Sequence, residues 1–425
     1  MELLMILIFV LGYMAIAFEH GIKINKAASA LITGVLCWTV YILSETDKEL
    51  VSTQLAEHLS TISGILFFLL GAMVIVELID AHDGFDLVTK RISTTDKRRL
   101  LWLTCFITFF LSAILDNLTT TIVMVSLLRK IVDDRDDRLL LVGMVVIAAN
   151  AGGAWSPLGD VTTTMLWIGG QITALNIIKK LFLPSLVCLL VPLFWLSRTM
   201  KGNVQTPKIE QGNNLNSTPF ERNTVFGIGI GALLFVPIFK TVTHLPPYMG
   251  MLLGLGAMWV LTELIHSKKD EEERGTRSVN HALRKIDTPS ILFFLGILVA
   301  VTALESVGTL HHLAEWLDHT IGNVTAIGVL IGFLSAIVDN VPLVAAAQGM
   351  YDLSTYPPDS FFWELIAYCA GTGGSTLIIG SAAGVAAMGM ENINFFWYLK
   401  RISFLAAVGY LAGVVVYVMQ HAIFG

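Results

Sequence analysis

Apolar residues along this chain fall in long blocks, and the blocks have the length of membrane crossings. Unbroken stretches at 3–18, 27–44, 61–79, 181–197, 224–240, 248–265, 289–306 and 402–420 predict helices that cross a hydrocarbon core roughly 30 Å thick. Four more, at 100–131, 139–170, 321–350 and 361–390, are equally apolar but carry polar and glycine-rich residues at their middles. Irregular backbone at membrane depth is tolerated only where protein or a water-filled cavity satisfies it, so these four predict broken helices or hairpins in the interior. Two polar stretches separate the blocks. The first, 198–223, contains Lys201-Gly202-Asn203 and Gln211-Gly212-Asn213-Asn214 and predicts an exposed linker between two halves. The second, 267–287, holds Lys268-Lys269-Asp270-Glu271-Glu272-Glu273-Arg274 and predicts a solvated loop.

Composition agrees with this pattern and excludes other classes. Of 425 residues 55% are hydrophobic and only 14% charged, against about 25% charged in soluble domains. The formal charge of −6 provides no basic excess for nucleic acid. Cys37, Cys105, Cys188 and Cys369 stand singly in apolar stretches, without metal-like spacing. No haem, nucleotide or structural-metal motif occurs, so no cofactor is expected. Met1-Glu2-Leu3-Leu4-Met5 lacks the basic start of a signal peptide and reads as a retained first helix.

The cations are unevenly placed. With 100–131 and 321–350 as re-entrant hairpins and 139–170 and 361–390 as broken but complete crossings, the loops at 19–26, 81–99, 129–138, 198–223, 266–287 and 391–401 share one face. They hold 23 of the 27 Lys and Arg residues. Basic loops stay cytoplasmic, which predicts ten crossings with both termini external.

The halves repeat each other. Leu111-Ser112-Ala113-Ile114-Leu115-Asp116-Asn117 returns as Leu334-Ser335-Ala336-Ile337-Val338-Asp339-Asn340, and Ala151-Gly152-Gly153-Ala154 lies opposite Thr372-Gly373-Gly374-Ser375. The topology places the two hairpins on opposite sides. The fold class expected is therefore an all-α polytopic membrane protein of two inverted repeats, 1–197 and 224–425, each with a re-entrant hairpin and a broken transmembrane helix.

The interruptions hold the candidate chemistry. Asp116, Asp160 and Asp339 are carboxylates at membrane depth, each costing about 2.5–3.5 kcal/mol to insert if charged. Helix capping alone explains such a cost badly, whereas binding of a cation or proton explains it well. Asn117, Asn150 and Asn340 add amide oxygens, and Thr119, Thr120, Thr162, Thr163, Ser375 and Thr376 add hydroxyls, a hard-oxygen set suited to a small cation. The tip carboxylates Asp116 and Asp339 carry most of this reading; Asp160, at the far end of its break, is expected to tune affinity. Glu77 and Glu305, near the ends of matched crossings, are candidates for a supporting or proton-path role.

The Asp-Asn tips, the segment from Asn150 to Thr163 (Asn-Ala-Gly-Gly-x-x-Ser-Pro-x-Gly-Asp-x-Thr-Thr) and Gly371-Thr372-Gly373-Gly374-Ser375 resemble the NhaD-type sodium/proton antiporters of the ion transporter superfamily. The resemblance covers essentially the whole chain. It implies a helical scaffold with a moving transport domain, an elevator-like mechanism, a homodimer, and residence in a plasma membrane such as the bacterial inner membrane. Exchange of Na+, and Li+, for H+ is then the expected function, with Na+ held by Asp116, Asn117, Asp339 and Asn340. An anion, arsenite or dicarboxylate carrier is the alternative, but none of the four interruptions contains Lys or Arg to balance an anion. An intramembrane aspartyl hydrolase could pair Asp116 with Gly159-Asp160. It would leave Asp339 unexplained, so no enzyme activity is expected.

Overall fold

Lipid offers no partner to a backbone N–H or C=O, so each apolar block folds as helix. The computed structural model describes residues 2–89, 92, 94–205, 217–267, 275 and 277–424, without the side chains of 20 and 21. Much of the expected linker and the charged run after Ser267 lie outside the described residues. The main helices are α1 (Glu2–Ala17), α2 (Lys26–Ser44), α3 (Lys48–Ala81), α4 (Lys97–Leu115), α5 (Asn117–Ile131), α6 (Arg135–Ala154), α7 (Val161–Ile168) and α8 (Ala174–Thr199) in the first half. The second half holds α9 (Pro219–Thr243), α10 (Pro247–His266), α11 (Thr288–Ser306), α12 (Val324–Leu334), α13 (Asn340–Met350), α14 (Phe361–Gly373), α15 (Ala382–Glu391) and α16 (Ser403–Phe424). Among the described residues, nine helices are long and apolar enough to span a membrane. At 34 residues α3 far exceeds the expected 61–79; its first turns are polar and extend the helix beyond the apolar block, where Asp47 caps it.

The four interrupted blocks break where the sequence indicates, at Asp116, 155–160, 335–339 and 374–381. Two of them turn back. Lys97 at the start of α4 donates its N–H to Gly202 (3.0 Å), and Asp133 after α5 donates to Gln205 (2.8 Å), so both arms end beside one short segment. Likewise Tyr351, after α13, donates its hydroxyl to Asp318 (3.1 Å), just ahead of α12. The other two continue through the molecule in opposite directions. Arg135 at the start of α6 donates to Asn392 just past α15, while Asp359 before α14 accepts from Thr173 just past α7.

The described parts of the basic loops gather at one end. Asp96 pairs with Asn203, Arg129 and Arg138 both bind Glu391 (2.6 and 3.0 Å), and Lys285 binds Glu77 (3.2 Å). These contacts tie the loops together across both halves.

Two bundles result. In one, α2 crosses α11 at Gly34 and Gly296, where a Cβ on Gly34 would stand 2.7 Å from the Gly296 carbonyl. In the other, Gly152 of α6 rests on the Phe109 carbonyl of α4, and Gly373 of α14 rests on the Gly332 carbonyl of α12. Ser112 donates to Ala149 (2.6 Å) and Ser335 to Ala370 (3.0 Å) beside these crossings. The same contacts thus recur at matched positions in the two halves.

A side chain at these crossings must push backbone aside, at about 1–3 kcal/mol or more. Gly152→Ala and Gly373→Ala should each lower the melting temperature of the detergent-solubilised protein. Gly227→Ala, on α9 with nothing within 4 Å of the added carbon, should leave it unchanged or slightly higher. Equal melting of all three would contradict the packing described.

Candidate ion-binding site

Pro157 and Gly159 end the path of α6, and residues 155–160 form a turn laced by hydroxyls. Ser156 donates to Ala113 (2.5 Å), while Thr163 and Thr164 donate to Ser156 and Pro157 (2.8 Å each). The turn delivers Asp160 as the N-cap of α7. Its Oδ1 accepts from the Thr162 backbone N–H (2.9 Å) and hydroxyl (2.8 Å). Asn117, from the first hairpin tip, donates to its Oδ2 (2.6 Å), and Asn340, from the second, donates to Oδ1 (3.3 Å). Asn117 also donates to Asn150 Oδ1 (3.0 Å), whose own amide donates to Ser375 (2.9 Å) and Ser381 (2.8 Å). Asp160 is 2% exposed and Asn150 fully buried.

Four donors and the N-terminus of α7 stabilise a carboxylate whose burial costs several kcal/mol. The same side chains have a second use. An asparagine presents N–H donors on one edge and a carbonyl oxygen on the other, so rotating the amide turns a carboxylate's donor into a cation's ligand. Asp160, Asn117, Asn150 and Asn340 therefore form a set that can surround either a bare carboxylate or a carboxylate-bound small cation.

The structure separates the tip carboxylates from this cluster. Asp116 turns back to cap α5, accepting from the Thr119 N–H (2.7 Å) and hydroxyl (2.9 Å). The residue matching Thr119 in the second tip is Pro342, which has neither N–H nor hydroxyl. Among the described residues the Asp339 carboxylate accepts a long bond from the Val341 N–H (3.4 Å) and binds Lys26, with Nζ 3.3 Å from Oδ2. The expected grouping of Asp116, Asn117, Asp339 and Asn340 is therefore not seen: both asparagines converge on Asp160, and the aspartates face elsewhere. Thr163 braces the turn, and Thr120 and Thr376 are buried hydroxyls without a hydrogen-bond partner among the described residues. Glu77 pairs with Lys285, and Glu305 packs against Gly349 of α13; neither touches the cluster.

Two residues escaped the sequence reading. Ser381 caps α15 as Asp160 caps α7, and its offset from Asp160 equals that of the matched glycine segments, which is the signal that could have found it. Lys26 gave no local signal, because it reaches the site from a remote helix. Two cavities, of about 450 and 910 Å³, approach from the basic end and share Leu118, Ile122 and Asp287. Leu118 adjoins Asn117, so both cavities reach the first tip.

Broken helices of a polytopic membrane protein that meet at one buried polar cluster form an arrangement suited to a membrane transporter, and the relatives of this chain are transporters. The citrate-transporter family profile matches residues 13–364. Sodium/proton antiporter 1 of Arabidopsis thaliana is 53% identical over 99% of this chain and 73% of its own length. The Na(+)/H(+) antiporter NhaD of Vibrio cholerae is 31% identical over 98% of this chain and 91% of its own, and that of Alkalimonas amylolytica is 30% identical over 98% and 90%. The chain belongs to the NhaD-type sodium/proton antiporters within the citrate-transporter family.

The cap at Asp116 is strained, with φ +110° and ψ 163°, a region essentially reserved for glycine and costing about 1–3 kcal/mol. Glycine at an N-cap loses only a few tenths of a kcal/mol against aspartate. Asp116→Gly should therefore raise folding stability by about 1 kcal/mol, whereas Asp339→Gly, at φ −47°, should lower it. Thermal melting of the two variants checks the asymmetry.

Proposed function

We propose that this chain exchanges Na+, and also Li+, for H+ across the membrane, with Asp160 as the carboxylate that holds either cation or proton. The observation that carries the reading is the convergence of both tip asparagines on that one buried acid. A carboxylate shared by two competing ligands gives exchange without a separate coupling device. When it binds Na+, the amides of Asn117, Asn150 and Asn340 turn their oxygens inward, assisted by the hydroxyls of Thr162 and Ser375. When it binds H+, they return to donating. Asp116 and Asp339 flank this centre and add negative potential along the route from the basic end.

The bundle of α4–α8 and α12–α16 moves as an elevator against α1–α3 and α9–α11, in a homodimer. The spans 1–197 and 224–425 act as inverted repeats; the recurring glycine and serine crossings and the antiparallel broken helices support this. The basic end faces the cytoplasm, leaving both termini outside.

Asp160→Asn should fold, since asparagine caps a helix as well as aspartate does, yet abolish sodium-driven proton flux in proteoliposomes. Asn117→Ala and Asn340→Ala should instead weaken the apparent sodium constant. Retained exchange in Asp160→Asn would reject the assignment. Flux driven by citrate or succinate, without a sodium-driven proton flux, would replace the reading with an anion carrier.

Competition fixes the sign of the pH dependence. Below the carboxylate's pKa, apparent sodium affinity falls about tenfold per pH unit, roughly 1.4 kcal/mol of linkage. Exchange should therefore be suppressed in acid through the sodium constant more than through maximal rate. Initial rates against sodium concentration at several pH values measure both. Orientation is tested separately: in a cysteine-free background, Glu315→Cys should react with an impermeant thiol reagent from outside intact cells, and Lys23→Cys should not.

A further inference from the structure

The ion pair between Lys26 and Asp339 is a charged contact between the two bundles, made beside the direct packing of α13 on α11 and the Lys240 bond to the Trp167 carbonyl (2.8 Å). Lys26 is the first residue of α2, which packs through Gly34 on Gly296 of α11. Asp339 caps α13 at the second hairpin tip, next to Asn340 of the central cluster. A lysine at a helix N-terminus faces the positive end of the macrodipole and destabilises its own helix, so helix formation does not explain its position. The second tip does explain it. Pro342 has removed the two donors that Thr119 supplies at the first tip, and the Lys26 ammonium takes their place at 3.3 Å. The Lys26 ammonium also lies over the ring of Phe293 of α11, 4.3 Å from its centre. The side chains are 27% and 19% exposed, and Lys26 lines the larger cavity reaching from the basic end. Water and cations can therefore approach the pair.

We propose that Lys26 is an internal counter-cation for Asp339, which latches the second tip to α2 until a transported cation displaces it. The inference rests on the exchange reading above. In this arrangement Lys26 satisfies Asp339 and ties the two bundles together. Na+ arriving at Asp160 beside Asn340 brings a second positive charge next to Asp339, and its repulsion of the Lys26 ammonium releases the tip from α2. Lys26 is thus a positioning residue that links cation occupancy to separation of the bundles. At the matched first tip Asp116 is held within its own helix cap by Thr119, and no Lys or Arg among the described residues pairs with it.

A double-substitution cycle tests this without transport. Wild type, Lys26→Gln, Asp339→Asn and the double variant are purified and melted in sodium-free buffer and again in saturating sodium. The expected result is a coupling between the two positions of about fivefold in the folding equilibrium without sodium, as for a partly exposed ion pair, and none with sodium. In proteoliposomes Lys26→Gln should tighten the apparent sodium constant about fivefold, and Lys26→Arg, which keeps the charge, should stay near wild type. A coupling that is absent without sodium, or equal in both buffers, overturns the proposal. So does an unchanged sodium constant in Lys26→Gln. If wild-type vesicles show no sodium-driven proton flux, the exchange reading fails on its own, and the sodium dependence of the coupling still decides the role of Lys26.

Discussion

A carboxylate that stays charged inside an apolar protein must find donors on every side, and the needs of Asp160 organise much of this molecule. A continuous helix cannot meet them, because its N–H groups are already spent on its own backbone. The chain breaks instead, and α7 begins at Asp160 with unpaired N–H groups directed at the charge. The remaining donors come from two other breaks, through Asn117 and Asn340. Such convergence requires several helices to approach more closely than ordinary side chains allow. Gly152 and Gly373 meet that requirement by setting helix backbone directly against helix backbone. Charge satisfaction at the centre and glycine at the crossings are therefore two sides of one constraint.

The two hairpin tips show how far nearly identical sequences can diverge in use. Each carries Asp-Asn after a matched apolar run, and each asparagine turns to Asp160. The aspartates differ because of the residue three positions on. Thr119 supplies an N–H and a hydroxyl that draw Asp116 into a strained cap, while Pro342 supplies neither and leaves Asp339 to Lys26. One substitution in the first turn of a helix thus decides whether a carboxylate serves its own backbone or reaches across to another bundle. The basic end shows the same economy on a larger scale, with Glu391 binding Arg129 and Arg138 from the opposite half.

Much of this was legible in the sequence, and the reason is physical. A membrane helix needs an apolar run of fixed length, and a polar interruption within it has to be satisfied. Runs and interruptions alone therefore yielded the helices, the four breaks and the residues worth attention at each break. Thr120 and Thr163 illustrate the limit. Both stand at the expected breaks, yet Thr163 braces backbone and the Thr120 hydroxyl is buried with no partner among the described residues. Side-chain direction depends on the local turn, which periodicity does not specify.

What the sequence determined by itself was the class of fold, the location of the breaks, the pairing of the two halves and the family. Each follows from local composition or from comparison of one segment with another. Only the tertiary structure decided which acid receives both tip asparagines, namely Asp160, while the tip aspartates bond elsewhere. It also recruited Ser381 and Lys26, which come from a matched helix break and a remote helix. These choices depend on distances between segments far apart in the chain, set by glycine crossings and by competition among donors for each carboxylate. No pattern within a single segment contains that information.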